Sequence, residues 1–518
     1  MKLRRMAIME TRSTKRRRIS DILKLNEFEM GIDRISDLPD AILHHILFLL
    51  PIKYVAQMSV LSKRWRFLWT TLPDLDFTTL SPFSTSNLEK QSHPPTTTSA
   101  TEDFMNQVLS VRDKHSDIGI LRFHAHLSFS RLNRLIRSAI RHNVKELDVE
   151  VATNDFFNFP RCVIGSESLR VFRLKSRHPG FRLLPSSTMI SGFQSLQSLS
   201  LSLVIFDKQP SLLDLFSHSS FPFLKNLHLD ACFGLKYLHV GCRALEEFNL
   251  ENCFKLQGLD ISGAKLERLK VASCFDAYSN KSWVKINAPK LRHLLWEYNA
   301  VTDTTIFEQC SSFLHEASIN FFILHEDISM SKLQSVQNFL SGLSRAHSLT
   351  LESQPVEVLS NSNFFAVNLQ QFHNLKSLEL RTGFNKSNFH GLACLFRSTP
   401  SLHTLILNII NDYKIERKQW NKDLWDLSST EEEQYWESQT QNLKSFLQHL
   451  KVVKIHGFQE CENEVTLAKF LLKNGKALEE MILDAGHCNA RDTLRRQKIR
   501  SQLMGFSWAS SNAKVVFQ

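Results

Sequence analysis

Cys232, Cys253 and Cys274 recur 21 residues apart twice over, with Cys242 between the first two. Thiolates gathered in space could hold zinc, whose structural sites take four Cys or His ligands and are commonly built from C-x-x-C pairs. No such pair occurs in this chain. A strict 21-residue period instead sets one cysteine above the next, so a structural ladder is the better reading and metal the weaker one. His124 and His126 alternate on an expected strand and share a face, where a solvent-facing pair outweighs a ligand pair. Other patterns of catalysis are missing: there is no Gly-rich phosphate loop, no H-E-x-x-H and no G-x-S-x-G, and the chain holds only sixteen glycines. No catalytic residue, metal or cofactor is expected. Nine cysteines, an odd number spread from Cys162 to Cys488, suit a reducing compartment better than a disulfide framework, which makes nucleus and/or cytoplasm the expected location.

The ladder belongs to a repeat. With L-x-x-L-x-L-x-x-N/C as the template, the cleanest copies are Leu224-Leu227-Leu229-Cys232, Leu245-Phe248-Leu250-Cys253 and Leu266-Leu269-Val271-Cys274. Looser copies start at Leu72, Val144, Leu169, Leu196, Leu291, Leu314, Ala346, Leu375, Leu402, Leu450 and Leu478. This is leucine-rich-repeat periodicity. Each L-x-L is a strand whose apolar residues point into a solenoid core, and the residue at the cysteine position turns inward to bond the backbone of the adjacent coil. Asn299 supplies that position after Leu294 and Trp296. The residues flanking the inward leucines then face the concave side: Asn226, His228 and Asp230, next Glu247, Asn249 and Glu251, then Arg268 and Lys270. These eight are candidate target-binding residues, and equally a plain solvated sheet.

A 21-residue coil leaves little room for an outer helix, so Leu235 to Val240 and Leu256 to Ile261 are expected as strand or extended chain. Elsewhere the outer side is expected to be helical. RLNRLIRSAIRHN, from Arg131 to Asn143, puts Leu132, Leu135, Ile136, Ala139 and Ile140 on one face, and the strand-like VKELDVEV follows it. The rhythm breaks twice. Thr78 to Thr101 is rich in Ser, Thr and Pro and reads as a flexible loop. Between Asn411 and Gln448 a charged stretch reads as an exposed excursion.

Ahead of the repeats, DRISDLPDAILHHILFLLPIKYVAQMSVLSKRWRFLWTTLPDLDF spans Asp33 to Phe77. Asp37, Pro39 and Asp40 suit the head of a helix from about Pro39 to Leu50, with Ile42, Leu43, Ile46, Leu47 and Leu50 apolar and Pro51 ending it. A second helix is expected from about Lys53 to Val60, and a third from Ser62 to Trp69 with Trp65 and Trp69 four apart. Three helices so short cannot bury that apolar surface alone. By their physics they are a partner-docking module or an ordinary helical cap in equal measure.

Here the residues carry a resemblance. D-R-I-S-x-L-P-D-x-I-L-x-x-I-L, then L-P-I-K, then S-V-L-S-K-R-W-R-x-L-W resembles the plant F-box motif along its whole length. His44 and His45 depart from its usual polar residues without disturbing the apolar register. The resemblance implies docking onto the Skp-type adaptor of a Skp-cullin-F-box ubiquitin ligase and, through it, cullin and a RING subunit. The contact would be made by Leu38 and Pro39 with the apolar helix faces, namely Ile42, Leu43, Ile46, Leu47, Leu50, Val60, Leu61, Trp65 and Trp69. From about Tyr435 the chain also resembles the C-terminal FBD domain that accompanies F-box and leucine-rich repeats in plants, through YWESQ, LKVVKIHGF, EVTLAKFLLKNGKALEEMIL and ASSNAKVVF. The family's proline and cysteine before LKVVKI are replaced by QNLKSFLQH.

With 518 residues, 42% hydrophobic and 22% charged, the chain can build a sizeable core over two or three units. Its longest apolar run, Ala41 to Ile52, is broken by two histidines and a proline and falls short of the ~18 residues that span a bilayer, so no membrane association is expected. No apolar stretch of signal-peptide length follows the basic N-terminus, so secretion is not expected. The net charge of +11 raises nucleic acid as a partner, but the basic residues are dispersed except for KLRR and KRRR near the N-terminus. That cluster reads first as a nuclear-import signal, next as a solvated tail, and last as a nucleic-acid contact.

The expected architecture is α/β: a basic tail over 1–32, disordered; a three-helix F-box over 33–77; a loop over 78–101; a leucine-rich-repeat solenoid over 102–434 with a curved parallel sheet on its concave face and a charged excursion at 411–434; and an FBD-like cap over 435–518. The expected function is substrate recognition for a ubiquitin ligase. Two alternatives stand beside it: a scaffold that binds the adaptor without delivering a substrate, and a small-molecule-gated receptor like the plant hormone receptors of this broad architecture.

Overall fold

The computed structural model describes residues 35, 37–80, 97–152, 157–158, 161–176, 181–182, 192–206, 215–278, 281–308, 314–324, 328–360, 363–383, 388–410, 429–458, 462–484 and 493–518. Sixteen strands, one per coil and in chain order, form a single parallel sheet from Asp74–Asp76 to Lys514–Phe517. Period-two burial explains why each coil contributes one strand. In Glu247–Glu251 the Phe248 and Leu250 side chains are buried while Glu247, Asn249 and Glu251 are half-exposed, and Asn226–Asp230 and Arg268–Ala272 repeat the alternation in register. A one-residue slip would turn every leucine outward, so the repeat fixes the register.

The coils return by two routes. Where the interval is 21 residues the outer chain is extended, and Tyr237–Gly241 and Gly258–Ser262 join a second, five-stranded parallel sheet with Phe216–Ser217, Trp283–Asn287 and Thr304–Glu308. Gly258 serves this sheet by its bareness, because a Cβ there would stand 2.5 Å from the Trp283 ring. Longer coils return through helices, among them Phe129–Arg141, Met330–Gly342, Phe389–Ser398 and Glu462–Asn474.

Five consecutive coils carry a non-glycine residue in the left-handed region, Leu203, Ala231, Asn252 and Ser273 directly after their strands and Tyr298 within the longer strand His293–Ala300, with φ from 48° to 59°. Such backbone costs an L-residue of the order of 1–3 kcal/mol. It is held here because the first four of these N–H groups donate to carbonyls of the next coil, Leu203 to Asp230, Ala231 to Glu251, Asn252 to Ala272 and Ser273 to Glu297. The kink aims the following residue, the ladder position, back into the core.

Several sequence expectations are corrected. The N-terminal helices are Asp40–Phe48, Ile52–Met58 and Lys63–Thr70. Ser/Thr-rich 78–101 holds a 3-10 turn at Thr78–Leu80 and the start of the helix Thr97–Val111, whose Met105, Val108 and Leu109 pack into the core. Ile118-Leu121-Phe123 leads a coil with the strand Ile120–His126, which the repeat list lacks. The charged excursion ends in a helix, Ser429–Gln439, that is anchored by the fully buried Trp436, so 429–434 is no exposed loop. That helix also runs through the Tyr435 boundary. The basic tail with its import-signal reading, residues 81–96 and residues 411–428 lie outside the described residues. Among the described residues, no helix is long and apolar enough to cross a membrane.

Candidate docking surfaces

The first surface is made by the three N-terminal helices. Pro39 sets the first turn, where its carbonyl accepts from Ile42 and Leu43, and Ser62 caps the third helix by accepting from the Trp65 N–H at 3.2 Å. Arg64 ties the third helix to the head of the first, pairing with Asp40 at 2.6 Å and donating to the Leu38 carbonyl. Leu43, Leu47, Ile52, Val55, Trp65, Leu68 and Trp69 fill the interior.

This arrangement divides the residues expected at the contact. Leu43, Leu47, Trp65 and Trp69 are buried and hold the helices together, so they shape the docking face and do not form it. Leu38, Ile46 and Leu50 are half-buried against that core. Pro39, Ile42, Val60 and Leu61 are exposed. So are Ile35, Phe48, Leu49, Tyr54 and Phe67, which sequence reasoning did not name. Eight of the 23 exposed large apolar side chains among the described residues fall between Ile35 and Phe67, a concentration that isolated surface residues do not produce. Helical periodicity could not separate them, because the first helix is apolar on more than one side.

This helical unit is fastened to the solenoid. The strand Asp74–Asp76 begins soon after the third helix and pairs with Ile120–His126. Arg112 is buried and donates to three carbonyls, those of Leu72, Ser116 at 3.3 Å and Asp117 at 2.6 Å. Burial lowers its pKa to about 10, against the raising effect of Asp113, so it stays charged at neutral pH.

The second surface is the concave strip. Asn226, His228, Asp230, Glu247, Asn249, Glu251, Arg268 and Lys270 do lie together, on one face of three adjacent strands. Their charges are satisfied across the strands: Arg268 pairs with Glu247 at 2.8 Å, Lys270 with Glu251 at 2.6 Å, and Asn252 donates to Asp230 at 2.9 Å. The hydrogen bond from Arg268 holds the Glu247 carboxyl below its usual value against a smaller opposing effect of burial. Elsewhere on the sheet, His124 lies 3.6 Å from Glu150, and His126 is exposed.

The ladder position faces inward throughout. Cys232, Cys253 and Cys274 are buried and their thiols donate to Leu201, Leu229 and Leu250 carbonyls of the previous coil at 3.5, 3.8 and 3.5 Å. Asn299, fully buried, makes the equivalent bond to the Val271 carbonyl at 2.9 Å, and its Oδ1 accepts from the N–H groups of Cys274 and Phe275 at 2.8 and 3.2 Å. Among the described residues no group of three or more His, Cys, Asp or Glu is placed to hold a metal. Burial pushes the Cys232 and Cys274 thiols well up and that of Cys242 to about 12. Iodoacetamide at pH 8 is therefore expected to leave these three unmodified in the folded chain and to alkylate them on unfolding, read by peptide mass spectrometry. Rapid native-state labelling of Cys232 or Cys274 would contradict the buried ladder.

Known proteins bear on both surfaces. Residues 35–76 match the family model described as F-box domain, and residues 111–272 and 234–506 match the one described as At1g61320/AtMIF1, LRR domain. An Arabidopsis thaliana protein named as an F-box/FBD/LRR-repeat protein is 49% identical over 98% of this chain and 100% of its own length. A second F-box/FBD/LRR-repeat protein from the same plant is 26% identical over 94% of this chain and 96% of its own, and an F-box/LRR-repeat protein is 26% identical over 90% of each.

Proposed function

The chain belongs to the plant F-box/FBD/LRR-repeat family, and from that membership we propose that it is the substrate-recognition subunit of a Skp-cullin-F-box ubiquitin ligase. The observation that carries this reading is the exposed apolar face between Ile35 and Phe67, set on a well-packed interior. A soluble Skp-type adaptor would cover that face, and would bring with it cullin and a RING subunit. The solenoid presents a protein target, and the chain acts by proximity, holding a target lysine near the ligase without performing chemistry itself. A buried Arg112 joining the helical unit to the first coils supports this use, because it fixes the angle between adaptor and repeats. Nucleus and cytoplasm are the compartments we assign, on the free cysteines.

Reconstitution tests the proposal. The chain co-expressed with a Skp-type adaptor should co-purify with it, and with cullin, RING subunit and conjugating enzyme added it should raise ubiquitin transfer to a partner captured from plant cells in which degradation is blocked. Stable adaptor binding without transfer to any captured partner would favour the scaffold reading instead.

A further inference from the structure

The residue just before each concave strand sits on one rim of the solenoid. Over six consecutive strands, beginning at His293, Glu316, Ser348, Ser377, Thr404 and Val452, that residue is Arg292, His315, His347, Lys376, His403 and Lys451. All are exposed except His403, which is half-exposed. The loops that lead into these strands, 288–292, 314–315, 343–347, 372–376, 399–403 and 447–451, contain no Asp or Glu but add Lys290, Arg345, His373 and His449. The run is bounded on both sides by acid, since the preceding coils carry Glu246 and Glu267 at the same position and the following coil carries Glu479.

Partnering sets this rim apart from the concave face. There, cations are answered by carboxylates on the next strand, as in Arg268 with Glu247, Lys270 with Glu251 and Arg381 with Glu352. Among the described residues only the last of the six rim positions has such a partner, Lys451 with Glu479 at 2.9 Å, and Arg292 and Lys376 form no ion pair there. His315 and His347 stack on one another with ring centroids 5.3 Å apart. Burial first, and after it Lys376 and Lys451, holds His403 below the usual histidine value. Adjacent strands lie about 4.8 Å apart, so six positions span roughly 24 Å, the reach of about seven residues of extended peptide.

We propose that this rim, from Arg292 to Lys451, is a docking site for an acidic, extended segment of the protein that the chain recruits. The assignment rests on the recruitment reading above and specifies the chemistry of the partner. Charge complementarity names the occupant: a run of rim loops without Asp or Glu, on which Arg292 and Lys376 form no ion pair among the described residues, favours encounter with carboxylate-rich chain and disfavours basic partners. Nucleic acid fits less well. The row is single-file, it carries no Phe, Tyr or Trp on which bases could stack, and its few permanent charges fall short of the ~6–10 phosphate contacts typical of duplex binding.

The test uses the full chain co-expressed with its Skp-type adaptor and a fluorescein-labelled oligo-glutamate of about ten residues, long enough to cover the rim. Wild type should bind the peptide, more weakly as salt rises. The triple variant Arg292→Glu, Lys376→Glu, Lys451→Glu should weaken binding about tenfold or more, whereas Arg243→Glu, Lys255→Glu, Lys265→Glu, an equal charge change elsewhere on the solenoid, should not. If the first triple variant fails to fold, the same three positions changed to Gln keep the comparison. Equal weakening by both triples, or no peptide binding by wild type, overturns the proposal. So does tighter binding of a single-stranded oligodeoxynucleotide of matched charge that is lost in the rim variant, an outcome that gives the rim to nucleic acid. Adaptor co-purification separates the two readings: its absence in wild type sinks the ligase assignment, while intact adaptor binding with an indifferent rim sinks only this one.

Discussion

Asn299→Ala is expected to destabilise the solenoid by on the order of 3–5 kcal/mol, more than any single change at a ladder cysteine that keeps the site apolar. The Asn299 amide makes three bonds in a fully buried place, accepting from the Cys274 and Phe275 N–H groups and donating to the Val271 carbonyl. Alanine would strand two donors and one acceptor away from water, and each such group costs about 1–3 kcal/mol. The need for an amide arises from coil length. At Cys232, Cys253 and Cys274 the coils are 21 residues apart, and a thiol that donates one weak bond suffices. Asn299 lies in the longer strand His293–Ala300, where the register with Glu316–Phe322 shifts between Trp296 and Asn299, and there the side chain meets two inward N–H groups of the preceding coil, those of Cys274 and Phe275. Asn299→Cys should fall between wild type and alanine, since it restores a donor but no strong acceptor. Because a repeat array need not unfold in one step, hydrogen exchange is the sharper measurement, with loss of protection centred on Arg268–Ala272 and Glu316–Phe322. An alanine variant within about 1 kcal/mol of wild type would remove the amide from the account.

The same residues show what could be read ahead of the structure. Inward leucines two apart, followed by Cys or Asn at a fixed offset, determine strand, face and register at once, which is why the three central coils were legible in detail. The coil led by Ile118 was not, because the helix before it opens with TTSAT, whose composition reads as loop, and its apolar residues Met105, Val108 and Leu109 come only later. The helix Ser429–Gln439 was hidden in the same way. Its sequence STEEEQYWESQ is mostly polar, and one tryptophan does the anchoring: Trp436 stacks with Phe396 and meets Phe389 and Phe470 edge-on or tilted, contacts made by residues up to 47 positions away and invisible to any local pattern. In the N-terminal helices the limit was different. Periodicity marked which residues were apolar, but with apolar residues on more than one side only the packing of Trp65 and Trp69 onto Leu43 and Leu47 decides which side is left for a partner. The concave strip was placed correctly in space, yet its cross-strand pairing, which leaves little net charge to offer, depends on rotamers that the sequence does not state.

That division of the helical unit determines the experiment with the largest expected effect on function, Val60→Asp together with Leu61→Asp. Both side chains stand in the turn after Ile52–Met58, 82% and 68% exposed, so the two charges are expected to cost the isolated chain little, as surface changes generally do. Under an adaptor they would be desolvated without partners, at a cost of several kcal/mol, and co-purification should fall at least about a hundredfold. Leu38→Ala with Pro39→Ala is a less clean probe, because Leu38 packs on the interior, its carbonyl receives Arg64, and Pro39 sets the first helical turn. Leu43→Ala supplies the contrast: it opens a cavity in the buried core at about 2–5 kcal/mol, so it should reduce adaptor binding only by loosening the helices, with accelerated proteolysis between Asp40 and Thr70 as its signature. Resistance to proteolysis in the Val60 and Leu61 variant, paired with loss of the adaptor, would place the contact on the exposed face. Wild-type co-purification by that variant would move the adaptor elsewhere, to a surface that leaves Ile42, Phe48, Leu49 and Tyr54 uncovered in the complex, and the docking assignment would not survive it.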